Sequence, residues 1–577
     1  MSAGKFSDDT GILYPPLSRL AAPGPLKSAP PEYRATTPHT PPQSIAAPGL
    51  VQAACDSIAR LTDLLRDASR CDHTVALLLT ACALTWTLYG SIAKSSQDLH
   101  PDMAELIAWS RDPSLGYPKH PPLGAWLVRI WFDVLPQTDW AFYLLATLMP
   151  TLALWFFWRL SADYLDIEKR VFGLALLMVM PFYNFHAFKY NANTLLMPAW
   201  AWTTFTFLRS YRNRSATYGA LAGAGAAAGM LAKYWSVFLL AGLIAAALID
   251  SRRRVYFRSA APWVTVATGL AILGPHLIWM YQHDFIPVDY AIARHAARSL
   301  TDGVAQVLIY FPAMAGYAAA PLILSFLLLP SCRAAIGEIV WPSDRERRLV
   351  ASAFWGPLLL PVAGTLAVGA APTALWSMPA WTLLPLMLLS PPTVKVETTR
   401  LRMMLGVAIV EPLAALIASP LVAVAIHLLG VEPPAAHGRL LAAATERAWR
   451  QVTSQPLRFV GCDVADEVVA YAPDRPHSLG WRFDDGDVAD AIYAEGHNWP
   501  PSPYKDPPPG DADVVKSGMA LVCSADRPDW VEPAAARAAR ASASRRIDIE
   551  VRRDFLGLPG RPTRYVIFII PPRPSRS

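Results

Sequence analysis

Long apolar stretches divide this chain along most of its length, and they restrict the folds open to it more than any other feature. A helix that crosses a bilayer needs about 20 mostly apolar residues. Stretches approaching that requirement occur at 73–93, 140–158, 171–185, 192–208, 216–232, 234–250, 260–281, 304–329, 349–368, 372–389 and 403–429. Of the 577 residues, 53% are hydrophobic and only 17% are charged, against roughly 25% charged in soluble proteins. The 20 Trp and 20 Tyr suit aromatic belts at the membrane surface. The expected architecture is an all-α polytopic membrane protein with about eleven transmembrane helices over 73–430.

The two ends read differently. Residues 1–50 are rich in Pro, Ala and Ser and lack the apolar core of a signal peptide, so a disordered cytoplasmic tail is expected. Residues 51–72 space their apolar positions as a surface-lying amphipathic helix does. Residues 431–577 are polar and Pro-rich. Runs such as Val514–Cys523 and Arg564–Ile570 have strand composition, and the latter is too short to span as a helix. A small soluble domain, α/β or mostly β, is expected there. It holds Cys462 and Cys523, which an oxidising compartment would allow to pair. The remaining four Cys show no CxxC pair or zinc spacing.

Loop charge sets the orientation. Basic clusters fall at 209–214 (RSYRNR), 250–258, 331–348 and 390–402, with Arg159, Lys169 and Arg170 on the same side of the expected spans. The positive-inside rule makes that side the cytoplasm. The formal net charge of +6 therefore reflects topology, and no basic face for nucleic acid is expected. The first outer loop, 94–139, then faces outward. So do 186–191, the junction near Lys233, 282–303 and the C-terminal domain. The expected location is a bacterial inner membrane, with that domain periplasmic.

The ionisable motifs gather on this outer side, although the orientation was assigned without them. Intramembrane and membrane-edge charges tend to mark functional sites. Asp98, Asp102 and Glu105 open the first outer loop, with Asp102 and Glu105 one turn apart on a helix. A carboxylate there can act as general base toward a hydroxyl or amine, or simply solvate the loop. Lys119 and His120 precede Pro121-Pro122, a stiff turn suited to a phosphate; a snorkelling lysine and a capping histidine would read the same. Lys189-Tyr190-Asn191 and Lys233-Tyr234 place cations beside aromatics, as lipid-phosphate sites and ordinary interfacial anchors both do. Arg294 and Arg298 add positive charge in 282–303 and either hold an anionic donor or solvate the loop. The glycine-rich GALAGAGAAAGM (219–230) lies inside an apolar stretch, where small residues allow close helix packing. It is not read as a nucleotide loop. No metal-ligand set is seen.

The text DMAELIAWS (102–110) followed by GYPKHPPLGAW (116–126) resembles glycosyltransferase family 39, the bacterial relatives of dolichyl-phosphate-mannose protein mannosyltransferases. These often carry DEAYYWLWS and GYYDHPPLVAW. HAFKYNANTLLMPAWAW (186–202) and GMLAKYWSV (229–237) extend the likeness, loosely, over about 73–390; the first and last segments fall outside it. The resemblance implies a GT-C membrane fold and transfer of a sugar from a polyprenyl-phosphate carrier to an acceptor outside the cytoplasm. It assigns the catalytic acid to Asp102. Family members that modify lipid A with aminoarabinose carry a carrier-binding lysine before the double proline, where this chain has His120 preceded by Lys119. Met103 stands where the family has its second acid, leaving Glu105 as the substitute.

The implied reaction is an inverting displacement. Asp102 takes a proton from the acceptor, and Lys119, His120, Lys189, Lys233 and the arginines stabilise the departing phosphate. No nucleotide or other cofactor is required, and a divalent cation is compatible with the loop. Expected partners are the membrane lipid, the polyprenyl-phosphate sugar, and an acceptor that is an envelope glycan, a lipid or a protein. Oligomeric state is left open. The competing reading is a transporter or flippase of lipid-linked sugars. It predicts repeats and mid-membrane charges; no repeat is seen and the charges sit at one face. A weaker third reading is a scaffold whose outer domain binds.

Overall fold

The computed structural model describes residues 48–295, 299–368, 372–431, 433–480, 516–541 and 543–572. Most of the 1–50 tail lies outside the described residues. The chain divides into two compact units, Met1–Leu61 and Thr62–Ser577.

The helical part runs α1 (Pro48–Arg66), α2 (Cys71–Ala93), α3 (Pro101–Arg111), α4 (Leu123–Val134), α5 (Asp139–Ser161), α6 (Ile167–Met178), α7 (Ala192–Asn213), α8 (Ala216–Ala232) and α9 (Ser236–Ile249). It continues through α10 (Arg253–Phe257), α11 (Ala261–Gln282), α12 (Ile286–His295), α13 (Leu300–Leu328), α14 (Ser331–Ala334), α15 (Ile336–Val340), α16 (Arg345–Val368), α17 (Leu384–Leu389) and α18 (Thr398–Leu429). Among the described residues, five helices are long and apolar enough to cross a membrane: α2, α5, α11, α13 and α18. The count becomes six if α6 and the 3-10 turns after it are one span, bent by 77°. The other expected spans fall on shorter, more polar or irregular elements. α9 has 14 residues, and Ala374–Leu383 is 3-10 helix. The expected eleven spans are thus shown only in part by the described helices. Apolar composition marks burial in protein as readily as exposure to lipid.

Small residues do the work expected of 219–230. At Gly223 an added Cβ would lie 2.3 Å from the Thr265 carbonyl oxygen, so α8 and α11 approach backbone to backbone. The glycines serve helix packing.

The C-terminal domain is α/β. α19 (Pro433–Arg450), α20 (Ala465–Tyr471) and α21 (Pro528–Ala539) cover a five-stranded sheet ordered β2-β1-β3-β7-β4. The strands are β1 (Phe459–Gly461), β2 (His477–Gly480), β3 (Met519–Ser524), β4 (Arg545–Val551) and β7 (Thr563–Ile570). β1 runs parallel to β2 and β3, and β7 is antiparallel to β3 and β4. β3 and most of β7 are buried on both faces, which is why MALVCS and YVIFII are continuous apolar runs. One face packs Leu441, Trp449 and Val468 from α19 and α20; the other packs Ala534 and Ala538 from α21. A two-residue turn joins β5 (Asp554–Phe555) to β6 (Leu558–Pro559). Cys462 and Cys523 form a disulfide that ties the chain after β1 to β3.

This domain grips the 94–139 loop. Asp98 is wholly buried. Its carboxylate accepts from the Arg439 backbone N–H and Nε, both at 3.0 Å, and from Arg553 Nη2 at 2.5 Å. Its own N–H donates to the Ala435 carbonyl at 2.7 Å, and Leu99 N–H donates to Tyr471 Oη at 2.8 Å. Arg439 also pairs with Asp139. A buried carboxylate stripped of one such partner loses about 3–5 kcal/mol. Arg553 is 17% exposed and Arg439 51%. Arg553→Ala is therefore expected to cost about 3 kcal/mol and Arg439→Ala about 1 kcal/mol, ranked by thermal unfolding in detergent. Replacing both Cys462 and Cys523 by Ala, which frees a loop of 61-residue separation, is expected to cost about 2–4 kcal/mol in the same assay.

Candidate active site

α3 presents the acids because its sequence has two faces. His100 caps it, its Nδ1 accepting the Asp102 N–H at 3.1 Å, with Pro101 in the first turn. Met103, Leu106, Ile107 and Ser110 are buried. That leaves Asp102, Glu105 and Trp109, spaced i, i+3 and i+7, on the other face. Met103 is 1% exposed, so the position where the family carries a second acid faces the core.

The loop after α3 folds back over that face. The Trp109 and Tyr117 rings stack at 4.7 Å, and Tyr117 Oη donates toward the Trp109 and Asp112 carbonyls. Tyr117 N–H donates to the His120 carbonyl at 3.2 Å. Gly116 seats against Trp279 of α11 so closely that an added Cβ would lie 2.3 Å from the indole. The result is a rigid turn that delivers Lys119 Nζ to Glu105 Oε2 at 3.1 Å.

The break after α6 supplies the opposite wall. Asn184, in that break, donates to the Met178 carbonyl at 3.2 Å and to Glu411 Oε1 at 2.9 Å. α7 then begins at the pocket, with Asn191 as its cap. Asn191 Oδ1 accepts from the N–H groups of Asn193 and Thr194, and its Nδ2 donates to Asp102 Oδ2 at 3.1 Å. Lys189 Nζ lies 3.1 Å from the same oxygen. The 22-residue α7 points its N-terminus at the pocket, where helix ends favour anions. The pocket holds about 310 Å³, including solvent at its mouth, and Asp102, Glu105, His120, Asn191 and Ala232 are among its walls.

Charge balance separates the two acids. Burial opposes ionisation of Asp102, but Lys119, Lys189, His100 and the Asn191 hydrogen bond outweigh it and hold this carboxyl well below the usual range. Burial, with Asp102 and Asp466 nearby, pushes Glu105 up to about 7 against the pull of Lys119. Burial and Lys189 lower His100 to about 4, so the imidazole is neutral near pH 7 and free to accept the α3 cap bond. For Lys119, burial is overcome by Glu105 and Asp102, and the ammonium is retained. Two carboxylates pushed apart in this way suit one ionised base and one proton-sharing neighbour.

The structure gathers Asp102, Glu105, Lys119, His120, Lys189 and Asn191 around one pocket. Lys233, after α8, reaches it through α7: its Nζ donates to Asn193 Oδ1 at 2.7 Å and lies 3.8 Å from the Trp376 ring centre. Three expected contacts lie elsewhere. Asp98 is committed to Arg439 and Arg553, so its charge serves domain docking. Tyr190 is fully buried against Phe142. Tyr234 Oη bonds His276 Nε2 at 3.0 Å, and His276 Nδ1 bonds the Leu115 carbonyl at 2.6 Å, which secures the loop below the pocket. Arg298 and the Arg294 side chain lie outside the described residues. His100, Asn193 and Trp376 were missed by the sequence reading. A histidine immediately before Pro-Asp at a helix start was the available signal for the first; the other two acquire meaning only through contacts from distant elements.

Comparison with known proteins places the chain among membrane transferases by similarity. Residues 119–279 match the family model of dolichyl-phosphate-mannose-protein mannosyltransferases. That stretch contains the 186–202 and 229–237 motifs and begins after Asp102. The chain is 28% identical over 268 residues to the lipopolysaccharide core galacturonosyltransferase RgtB of Rhizobium johnstonii, covering 46% of this chain and 52% of that one. It is 25% identical over 295 residues to the lipid A galacturonosyltransferase RgtD of the same organism, covering 51% and 61%. The chain thus aligns with little more than half the length of these relatives. Its fold matches ArnT from Cupriavidus metallidurans bound to undecaprenyl phosphate, with a TM-score of 0.56 and 12% identity over 86% of this chain and 97% of that one. The family likeness is borne out over 119–279, and this is a multi-pass membrane protein with the GT-C fold.

Glu105 gives a test of the site's electrostatics. Its folded pKa lies above the ordinary 4.5, so between about 4.5 and 7 the native state binds more protons than the unfolded chain. Stability falls as pH rises through that window, by up to about 3 kcal/mol. His100, lowered to about 4, contributes the opposite slope over much of the same range, so the Glu105 contribution is read as a difference: the stability of wild type relative to Glu105→Gln, from unfolding midpoints between pH 4.5 and 8, is expected to shrink as pH rises.

Proposed function

We propose that this protein is a membrane glycosyltransferase that moves a sugar from a polyprenyl-phosphate carrier to an acceptor at the outer face of the bacterial inner membrane. One observation carries the reading: the ionised Asp102 carboxylate, fixed between Lys189 and Asn191, lines a pocket at the start of α7 whose acids are paired to Lys119 and Lys189. The comparisons support transfer chemistry over lipid-linked-sugar transport, because the relatives named above are transferases.

In this mechanism Asp102 accepts the acceptor's proton as its oxygen or nitrogen attacks the anomeric carbon. The carbon–phosphate oxygen bond breaks with inversion, and polyprenyl phosphate leaves with the electron pair. Lys119, His120, Lys189 and the N-terminus of α7 meet the phosphate charge, which is the usual role of preorganised donors. Lys233 supports the same wall through Asn193. Glu105 keeps Lys119 in place and shares protons near neutrality.

The sugar we favour is a hexuronic acid, and the acceptor lipid A or lipopolysaccharide core. The named activities of RgtB and RgtD support this. So does the charge of the site, where Lys119, Lys189 and Lys233 face two acids and can receive a sugar carboxylate besides the carrier phosphate. The basic loops support a cytoplasmic N-terminus, and the Cys462–Cys523 bond supports a periplasmic C-terminal domain.

Asp102→Asn in purified protein, supplied with polyprenyl-phosphate galacturonic acid and lipid A or core acceptor, is expected to slow transfer by about 10²–10⁴-fold while carrier binding persists. Transfer at the wild-type rate would make Asp102 the wrong base. A donor carrying the neutral galactose is expected to react more slowly than the uronate donor in a direct competition. Equal rates would remove the acidic-sugar assignment while leaving the transferase reading intact.

A further inference from the structure

The β5–β6 hairpin does not touch the pocket, and its tip is unusual for a water-exposed turn. Leu556 and Gly557 form the two-residue loop with φ of 51° and 79°. Positive φ at both central positions is the signature of a type I′ hairpin turn, where Asn, Asp or Gly normally stand first. A leucine there is a backbone outlier. Leu556 is also 78% exposed, and Leu558 is exposed beside it. An apolar side chain held in a strained conformation and offered to water has no compensation within the described protein.

The root of the hairpin lies at the outward end of α18. His427 Nε2 bonds the Leu558 carbonyl at 3.0 Å, and the His427 and Phe555 rings lie 5.7 Å apart. Arg561 packs over Gly430, the C-terminal cap of α18, where a cation complements the helix dipole. α18 is one of the bilayer-length apolar helices. One of its faces is bare along Val410, Leu413, Ile417, Leu421 and Leu428, at helical spacing. The hairpin is therefore anchored where a lipid-facing stripe meets the surface. Arg552, Arg561 and Arg564 are exposed around it, able to snorkel toward headgroups.

We infer that the tip Leu556-Gly557-Leu558 inserts into the outer leaflet of the bilayer, so that this hairpin is a membrane contact of the C-terminal domain. The same strand pair begins beside Arg553, which holds Asp98 at the root of α3. Lipid contact at the tip and placement of the catalytic helix are thereby linked through one short segment. The inference needs only the membrane fold and stands independently of the sugar or acceptor assigned above.

The test is site-directed spin labelling of the full chain in nanodiscs of phosphatidylethanolamine and phosphatidylglycerol. Cys55, Cys71, Cys82 and Cys332 are replaced by Ala, and the Cys462–Cys523 pair is kept. A nitroxide at Leu556→Cys is expected to be relaxed more by oxygen than by a water-soluble nickel chelate, as at the lipid-facing control Ile417→Cys. The sheet-edge control Arg545→Cys is expected to show the reverse order. Nickel accessibility at 556 equal to that at 545 would place the tip in water and overturn the inference. Low accessibility to both reagents would mean that protein, a second copy or another segment of this chain, covers the tip, and would overturn it equally. The surface position makes folding of the 556 variant easy to verify by its retained thermal midpoint.

Discussion

Asp98 is the interaction on which the site depends. A carboxylate with no exposed surface is unfavourable unless each lone pair is met, and here two arginines from the C-terminal domain meet them. The consequence reaches beyond stability. Asp98 lies four residues before Asp102, and between them stand the capping His100 and the fixed Pro101. Docking the C-terminal domain therefore sets where α3 starts, and the start of α3 sets where Asp102 points. Tyr471 reinforces this by accepting from Leu99 N–H and donating to Asp139.

Three separated parts of the chain build the pocket, and each is locked by a different means. α3 is oriented by the domain above it. The Lys119–His120 turn is held by the Trp109–Tyr117 stack and by Gly116 against Trp279. The Lys189–Asn191 wall is held by Asn184 and Glu411 at the break after α6. Each of these supports restrains a charged or hydrogen-bonding group at the pocket. In the proposed reaction, such preorganisation would let lysines and a helix end meet a leaving phosphate without rearrangement.

Much of the fold was legible in the linear pattern. Apolar stretches marked the helical part, and the run Arg564–Ile570 marked the strand β7. The family motifs at 102–126 pointed to the same site that the structure assembles. The errors have physical causes. An apolar run is the same whether lipid or protein covers it, so composition alone does not distinguish a full span from a short helix such as α9 or from the 3-10 turns at 374–383. Asp98 and Tyr190 looked like ligands because they flank reactive neighbours. Side-chain direction, which a motif does not encode, turns one toward the C-terminal domain and the other into the core.

The sequence alone determined that this chain folds in a membrane, and it set the residue types available to the pocket. Those follow from hydrophobicity, charge and local spacing, which act over a few residues. Tertiary structure decided which charges meet. It paired Lys119 with Glu105 and Lys189 with Asp102, gave the two acids different proton affinities, and committed Asp98 to the domain interface. Those outcomes depend on distances between residues remote in sequence and on the loss of water around them, and both are fixed only when the helices and the C-terminal sheet pack.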